Sequence, residues 1–73
     1  MRAPKYQIVI TFPFDNQETE RFDRTNKNQA RRDLIQYLKE APIGAVGGIH
    51  DINTGNRIFP KLWYRAESGV IKI

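Results

Sequence analysis

Hydrophobic residues recur at every second position over residues 5–14 and at every third or fourth position over residues 26–41. This single change of period commits the chain to a sheet with a helix laid on it. In the first stretch Tyr6, Ile8, Ile10, Phe12 and Phe14 share one side, while Lys5, Gln7, Val9, Thr11 and Pro13 take the other, as in a half-buried strand. In the second, Ala30, Leu34, Tyr37, Leu38 and Ala41 fall within a stripe of roughly 100°, the width that a core-facing helix buries. Asn26 with Gln29 three residues later approximates a capping box, with Thr25 and Asn28 as alternative caps. Pro42 disfavours helical backbone at Ala41, so the helix is expected to end near Glu40.

The remaining segments read as strands and turns. Residues 15–17 are turn formers, and residues 18–24 return as a polar edge strand with Phe22 as its one apolar anchor. Residues 45–52 form a strand, Asn53-Thr54-Gly55 a three-residue hairpin loop with Gly55 at positive φ, and residues 56–65 the returning strand. Residues 66–69 turn again, leaving residues 70–73 as a short last strand. Gly47 and Gly48 mark either a bulge or a place where the helix lies close, and Pro60 confines its strand to an edge or a bulge. The expectation is one α+β domain over residues 1–73, a single antiparallel sheet of four or five strands on one helix, in the order β(β)αβββ.

A chain of 73 residues buries only about 60% of its unfolded surface, which leaves little stability to offset strained catalytic geometry. A hydrophobic content of 40% against 27% charged residues nevertheless exceeds that of a disordered chain, so the domain is expected to fold. The absence of cysteine removes disulfides, thiolate catalysis and cysteine-based zinc sites, and suits a reducing compartment. Residues 1–5 lack the apolar run of a signal peptide, and no stretch reaches the ~20 apolar residues of a membrane span. A soluble, cytoplasmic protein is expected.

Catalytic and metal chemistry finds no footing. His50 is the single histidine, and a strand sends Asp51 to the opposite face. The segment 51–55 lacks the later bidentate Glu of a calcium loop, and Ser68 sits in a turn with no convergent base. Gly44-Ala45-Val46-Gly47 matches a GxxG loop but is followed by a strand instead of a second helix. A non-enzyme without cofactor or metal is the expectation.

The informative segment is 57–65. In an unbroken strand Arg57, Phe59, Lys61, Trp63 and Arg65 share one face, while Ile58, Pro60, Leu62 and Tyr64 face the helix. Cations interleaved with rings suit single-stranded nucleic acid, the rings stacking on bases and the cations meeting phosphates. Lys5 and Lys72 would join that face. Two readings stand side by side: this exposed basic and aromatic face, or Phe59 and Trp63 in the core with a bulge at Pro60 reversing the phase.

A second basic group surrounds the helix start, with Arg24, Lys27, Arg31 and Arg32. Along the helix Arg31, Arg32, Ile35 and Lys39 occupy one flank, opposite Asp33, Gln36 and Glu40. Ile35 amid cations is either a stray exposed apolar residue or an interface contact. Acidic charge gathers instead at 15–23, where Asp15, Glu18, Glu20 and Asp23 against Arg21 leave net −3 within a chain of net charge +4.

The expected function is a small binding module for RNA or single-stranded DNA, through Arg57, Phe59, Lys61, Trp63 and Arg65 aided by Arg31, Arg32 and Lys39, as a monomer or weak homodimer. A different class is a protein inhibitor that docks on an acidic or nucleoprotein partner. One sheet with a single helix at this size resembles, in general plan, small phage and mobile-element inhibitors, among them anti-CRISPR proteins and inhibitors of host RNA polymerase. That likeness is topological and carries no residue over.

Overall fold

The alternation at the N-terminal end becomes β1 (Tyr6–Phe12), and the polar segment after it becomes β2 (Glu18–Arg24), paired antiparallel with it from Tyr6↔Arg24 to Phe12↔Glu18. The structure, a computed structural model, describes residues 3–12, 18–59 and 61–73. Phe14, the turn at 15–17 and Pro60, on which parts of the sequence reading rest, lie outside the described residues.

Helix α1 (Lys27–Glu40) begins where expected. Asn26 holds extended backbone, and its side-chain Oδ1 accepts from the backbone N–H of Asn28 at 2.8 Å and of Gln29 at 3.1 Å. Two of the otherwise unsatisfied N-terminal donors are thereby answered. At the other end Ala41 is already extended and Gly44 turns the chain at φ 104°, a conformation that favours glycine.

Strand β3 (Val46–Asp51) then enters beside β1, followed by β4 (Trp63–Ala66) and β5 (Gly69–Lys72). The five strands form one antiparallel sheet in the order β2-β1-β3-β4-β5, with α1 on one face. The element order ββαβββ and the α+β packing agree with the expectation from sequence. Gly55 adopts φ 73° in the hairpin loop, where the Asp51 carboxylate accepts from the N–H of Asn53 and Thr54.

The core lies between sheet and helix. Ile8 and Ile10 of β1, Ile49 of β3, Ala45, and Ala30, Leu34 and Leu38 of α1 are all buried, together with Trp63. The glycine pair resolves into two roles. A Cβ on Gly47 would stand 2.4 Å from Leu34 Cδ1 and 3.3 Å from Leu38 Cδ1, so this glycine is where helix and sheet touch. Gly48 faces the other way, toward Leu62 and Arg57.

The expected ten-residue returning strand does not form. Arg57 makes an isolated bridge with His50, and the chain rejoins the ladder only at Trp63, opposite Gly47. Three steps along β3 are matched by six on the returning segment, so three extra residues leave the ladder and the side-chain phase is reset. The open face carries Gln7, Val9, Thr11, Val46, His50, Arg57, Tyr64 and Ile71, while Trp63, Arg65, Val70 and Lys72 fall on the helix side.

Candidate nucleic-acid interface

The reset of phase overturns the expected basic and aromatic sheet face. Trp63 is 3% exposed and belongs to the core, because the excursion between Arg57 and Trp63 turns it to the helix side opposite Gly47. Phe59 is half-buried and stands edge to face with Trp63, ring centroids 5.3 Å apart at 86°. Neither ring lies on the open face to stack on bases. Tyr64 and Leu62, expected beneath the helix, face away from it.

The cations of the segment part company for the same reason. Arg57 sits on the open face, across from His50. Arg65 lies on the helix side, its guanidinium turned back to donate to the Ala66 carbonyl and its Nε shut from solvent without a partner among the described residues. Lys61 and Lys72 gather around Trp63, and the Lys72 ammonium lies 5.5 Å from the centre of the Trp63 ring. Of the two lysines expected to join the open face, Lys72 falls on the helix side, opposite Trp63. The sequence reading missed the grouping of Lys61 and Lys72 with Phe59 and Trp63. The strand expected at residues 45–52 gave no sign of it, because the excursion shows only in the pairing of β3 with β4.

The helix flank is better preserved. Arg31, Arg32 and Lys39 are exposed along it, and Ile35 is half-buried, packed against the core. Ile35 is therefore a boundary residue that seals the edge of the helix stripe, not an exposed contact. The opposite flank faces β2. There Arg24 Nε donates to Asp33 at 2.8 Å, its Nη2 donates to the Tyr37 hydroxyl at 2.8 Å, and Phe22 stacks on Tyr37 at 4.6 Å. The hydrogen bond to Asp33 holds the Arg24 pKa above its ordinary value, with Tyr37 adding to the effect and burial opposing it.

Because Asp33 and Tyr37 look toward β2, the flank with Arg31, Ile35 and Lys39 looks toward β4 and β5. The two basic sets thus meet on one side of the molecule: Arg31, Arg32 and Lys39 from the helix, Lys61 and Lys72 from the sheet. Acidic residues Glu20, Asp23 and Asp33 occupy the other side. Arg31, Arg32, Lys39 and Lys61 have no ion-pair partner among the described residues, whereas Arg24 on the acidic side is paired.

Comparison with protein-family models, with curated proteins and with solved structures gives no match. Among the described residues no three His, Cys, Asp or Glu side chains gather as a metal site, and no helix is long and apolar enough to cross a membrane.

Proposed function

We propose that the domain binds single-stranded RNA or DNA along its cationic side, with Arg31, Arg32 and Lys39 of α1 and Lys61 and Lys72 of the β4–β5 side meeting successive phosphates. The observation that carries this reading is the separation of charge. Among the described residues Arg31, Arg32, Lys39 and Lys61 have no ion-pair partner, and Glu20, Asp23 and Asp33 lie toward β2, while Glu67 stands in the β4–β5 turn. Arginine and lysine left unneutralised within the fold keep their full attraction for a polyanion, and the acidic side orients the encounter. A single strand suits the arrangement better than a duplex. A helix seated in a major groove meets phosphates on both walls, and the flank with Gln36 and Glu40 offers one of them no cation.

Fluorescence anisotropy of a labelled oligonucleotide across a salt series tests this reading. With five phosphates neutralised, log K should fall with log salt at a slope of roughly −3.5. The double variant Arg31→Glu with Lys39→Glu, both exposed, should weaken binding at low salt and flatten the slope. Absence of binding at low salt, or a slope near zero, refutes the proposal.

A second reading draws on a different surface. Tyr64 and Ile71 oppose each other on the open face, Ile71 is 45% exposed, and Val9 and Val46 extend the apolar strip. Such a strip supports docking on another protein. Binding to nuclease-treated partner that survives high salt, and fails with Ile71→Asp, would favour it over the first.

A further inference from the structure

The two edges of the sheet differ in what they offer. Along β2 the residues Glu18, Glu20, Arg21, Asp23 and Arg24 are charged, a common protection of an exposed edge. Strand β5 carries one charge, Lys72, flanked by Ile71 at 45% and Ile73 at 55% exposure. Its backbone groups alternate in direction. Ile73 N–H donates to the Leu62 carbonyl at 2.8 Å, so Ile71 and Ile73 turn their backbone groups toward β4, while the N–H and C=O of Val70 and Lys72 turn outward. No described strand pairs with that outer side.

We infer that a second copy of this chain pairs antiparallel along β5, about a two-fold axis at Ile71, giving one continuous sheet with both helices on the same face. The pairing does not depend on nucleic-acid binding. Hydrogen bonding sets its register. With Val70 opposite Lys72 of the second copy, and Lys72 opposite its Val70, every outward N–H meets an outward C=O. Centring the pair on Lys72 would set like charges face to face, and centring it on Val70 would run Lys72 into the turn at Ser68. The side chains agree with the register at Ile71. Ile71 meets its own copy at a non-hydrogen-bonded position, where side chains approach most closely, and the apolar strip with Tyr64 continues across the axis. Ile73 comes opposite Gly69 of the second copy, where a Cβ would meet nothing within 4 Å. Such a pair closes on itself at two copies. Because the flanks with Arg31, Arg32 and Lys39 look toward β4 and β5, both face the axis, and their repulsion weakens association at low salt. So short a ladder belongs to the small, transient class of interfaces.

Sedimentation equilibrium of the full chain, without nucleic acid, from about 10 µM to about 1 mM tests the association. The mass should rise toward two copies and no further, and added salt should tighten the dimer several-fold. Ile71→Lys, at an exposed position, should return the chain to monomer, whereas Ile52→Lys, equally exposed but beside β1, should leave the dimer as strong as any added charge allows. Cysteine pairing tests the register, since the chain has no cysteine of its own. With oxidised glutathione taking up the two thiol electrons, Ile71→Cys should cross-link as a dimer, its Cα atoms about 4.5 Å apart across the axis. Lys72→Cys, diagonal to its copy at about 7–8 Å, should link about tenfold more slowly, and Ile52→Cys no faster than chance collision. A monomer at the highest concentration refutes the inference. So does growth beyond two copies, which would set β5 on the charged β2 edge of the next copy, or a dimer that salt weakens. Equal cross-linking at the three positions refutes the register, and with it the two-fold pairing at Ile71.

Discussion

Gly47→Ala places a methyl group where the structure has none to spare. The new Cβ would lie 2.4 Å from Leu34 Cδ1 and 3.4 Å from Leu34 Cγ, with Leu38 Cδ1 at 3.3 Å. Both leucines are fully buried, so neither can swing toward solvent; α1 must lift or Leu34 must leave its rotamer. Overpacking of this kind costs about 1–3 kcal/mol. The narrower unfolded ensemble of alanine returns about 0.4–1 kcal/mol, leaving a net loss of roughly 1–2 kcal/mol. For a domain of this length each kcal/mol lowers Tm by about 4–8 °C. Urea or thermal unfolding followed by circular dichroism and Trp63 emission reads the loss directly. Gly48→Ala is the internal control: its Cβ would meet Leu62 Cδ2 at 2.9 Å, but Leu62 is half-buried on the open face and can turn aside. Gly47→Ala should therefore be the more damaging of the two. Its cost should shrink in a Leu34→Ala background, where the obstructing methyl is gone. Equal stability of the two alanine variants, or strict additivity with Leu34→Ala, would refute the close approach of helix and sheet at Gly47.

Two further predictions concern how α1 is held. Asn26→Ala should cost about 0.5–2 kcal/mol in chemical denaturation by orphaning the Asn28 and Gln29 N–H groups, while Asn26→Ser should recover most of it. Arg24→Ala should cost about 1 kcal/mol, near the upper end for a partly exposed ion pair, by releasing both Asp33 and Tyr37. Arg24→Lys should recover only part, because an ammonium cannot reproduce the fork that reaches two acceptors; full recovery in a melt would show that charge alone matters there.

Much of the fold was legible because its signals are local. The alternation from Tyr6 to Phe12, the Asn26 cap, the stop at Pro42 and the Gly55 turn each follow from a few neighbouring residues, and each appears in the structure. The reading of the glycine pair as a site of close helix approach also holds at Gly47. The candidate site was harder to read because which face a strand residue takes depends on pairing across the sheet. The alternation from Arg57 to Arg65 is intact in the sequence, yet three residues leave the ladder between the His50 and Gly47 partners, and every side chain from Leu62 onward changes sides. Nothing within the segment announces that change. Ile35 shows the same limit on the helix, where its angle places it at the edge of the buried stripe and the position of the sheet decides that it is covered.

The strand order carries a consequence for how the chain assembles. Every ladder but one joins strands that follow each other along the chain on the same side of the helix, and β1 against β3 is the exception, reaching from Tyr6 to Asp51. The domain is thus two locally stitched halves, one ending with α1 and the other beginning at β3, closed along one seam, the β1–β3 ladder with α1 laid over it onto β3, β4 and β5. Local hairpins form quickly and distant pairings slowly, so that seam, with Gly47 seated under Leu34, is the last place where the halves can find or lose their register.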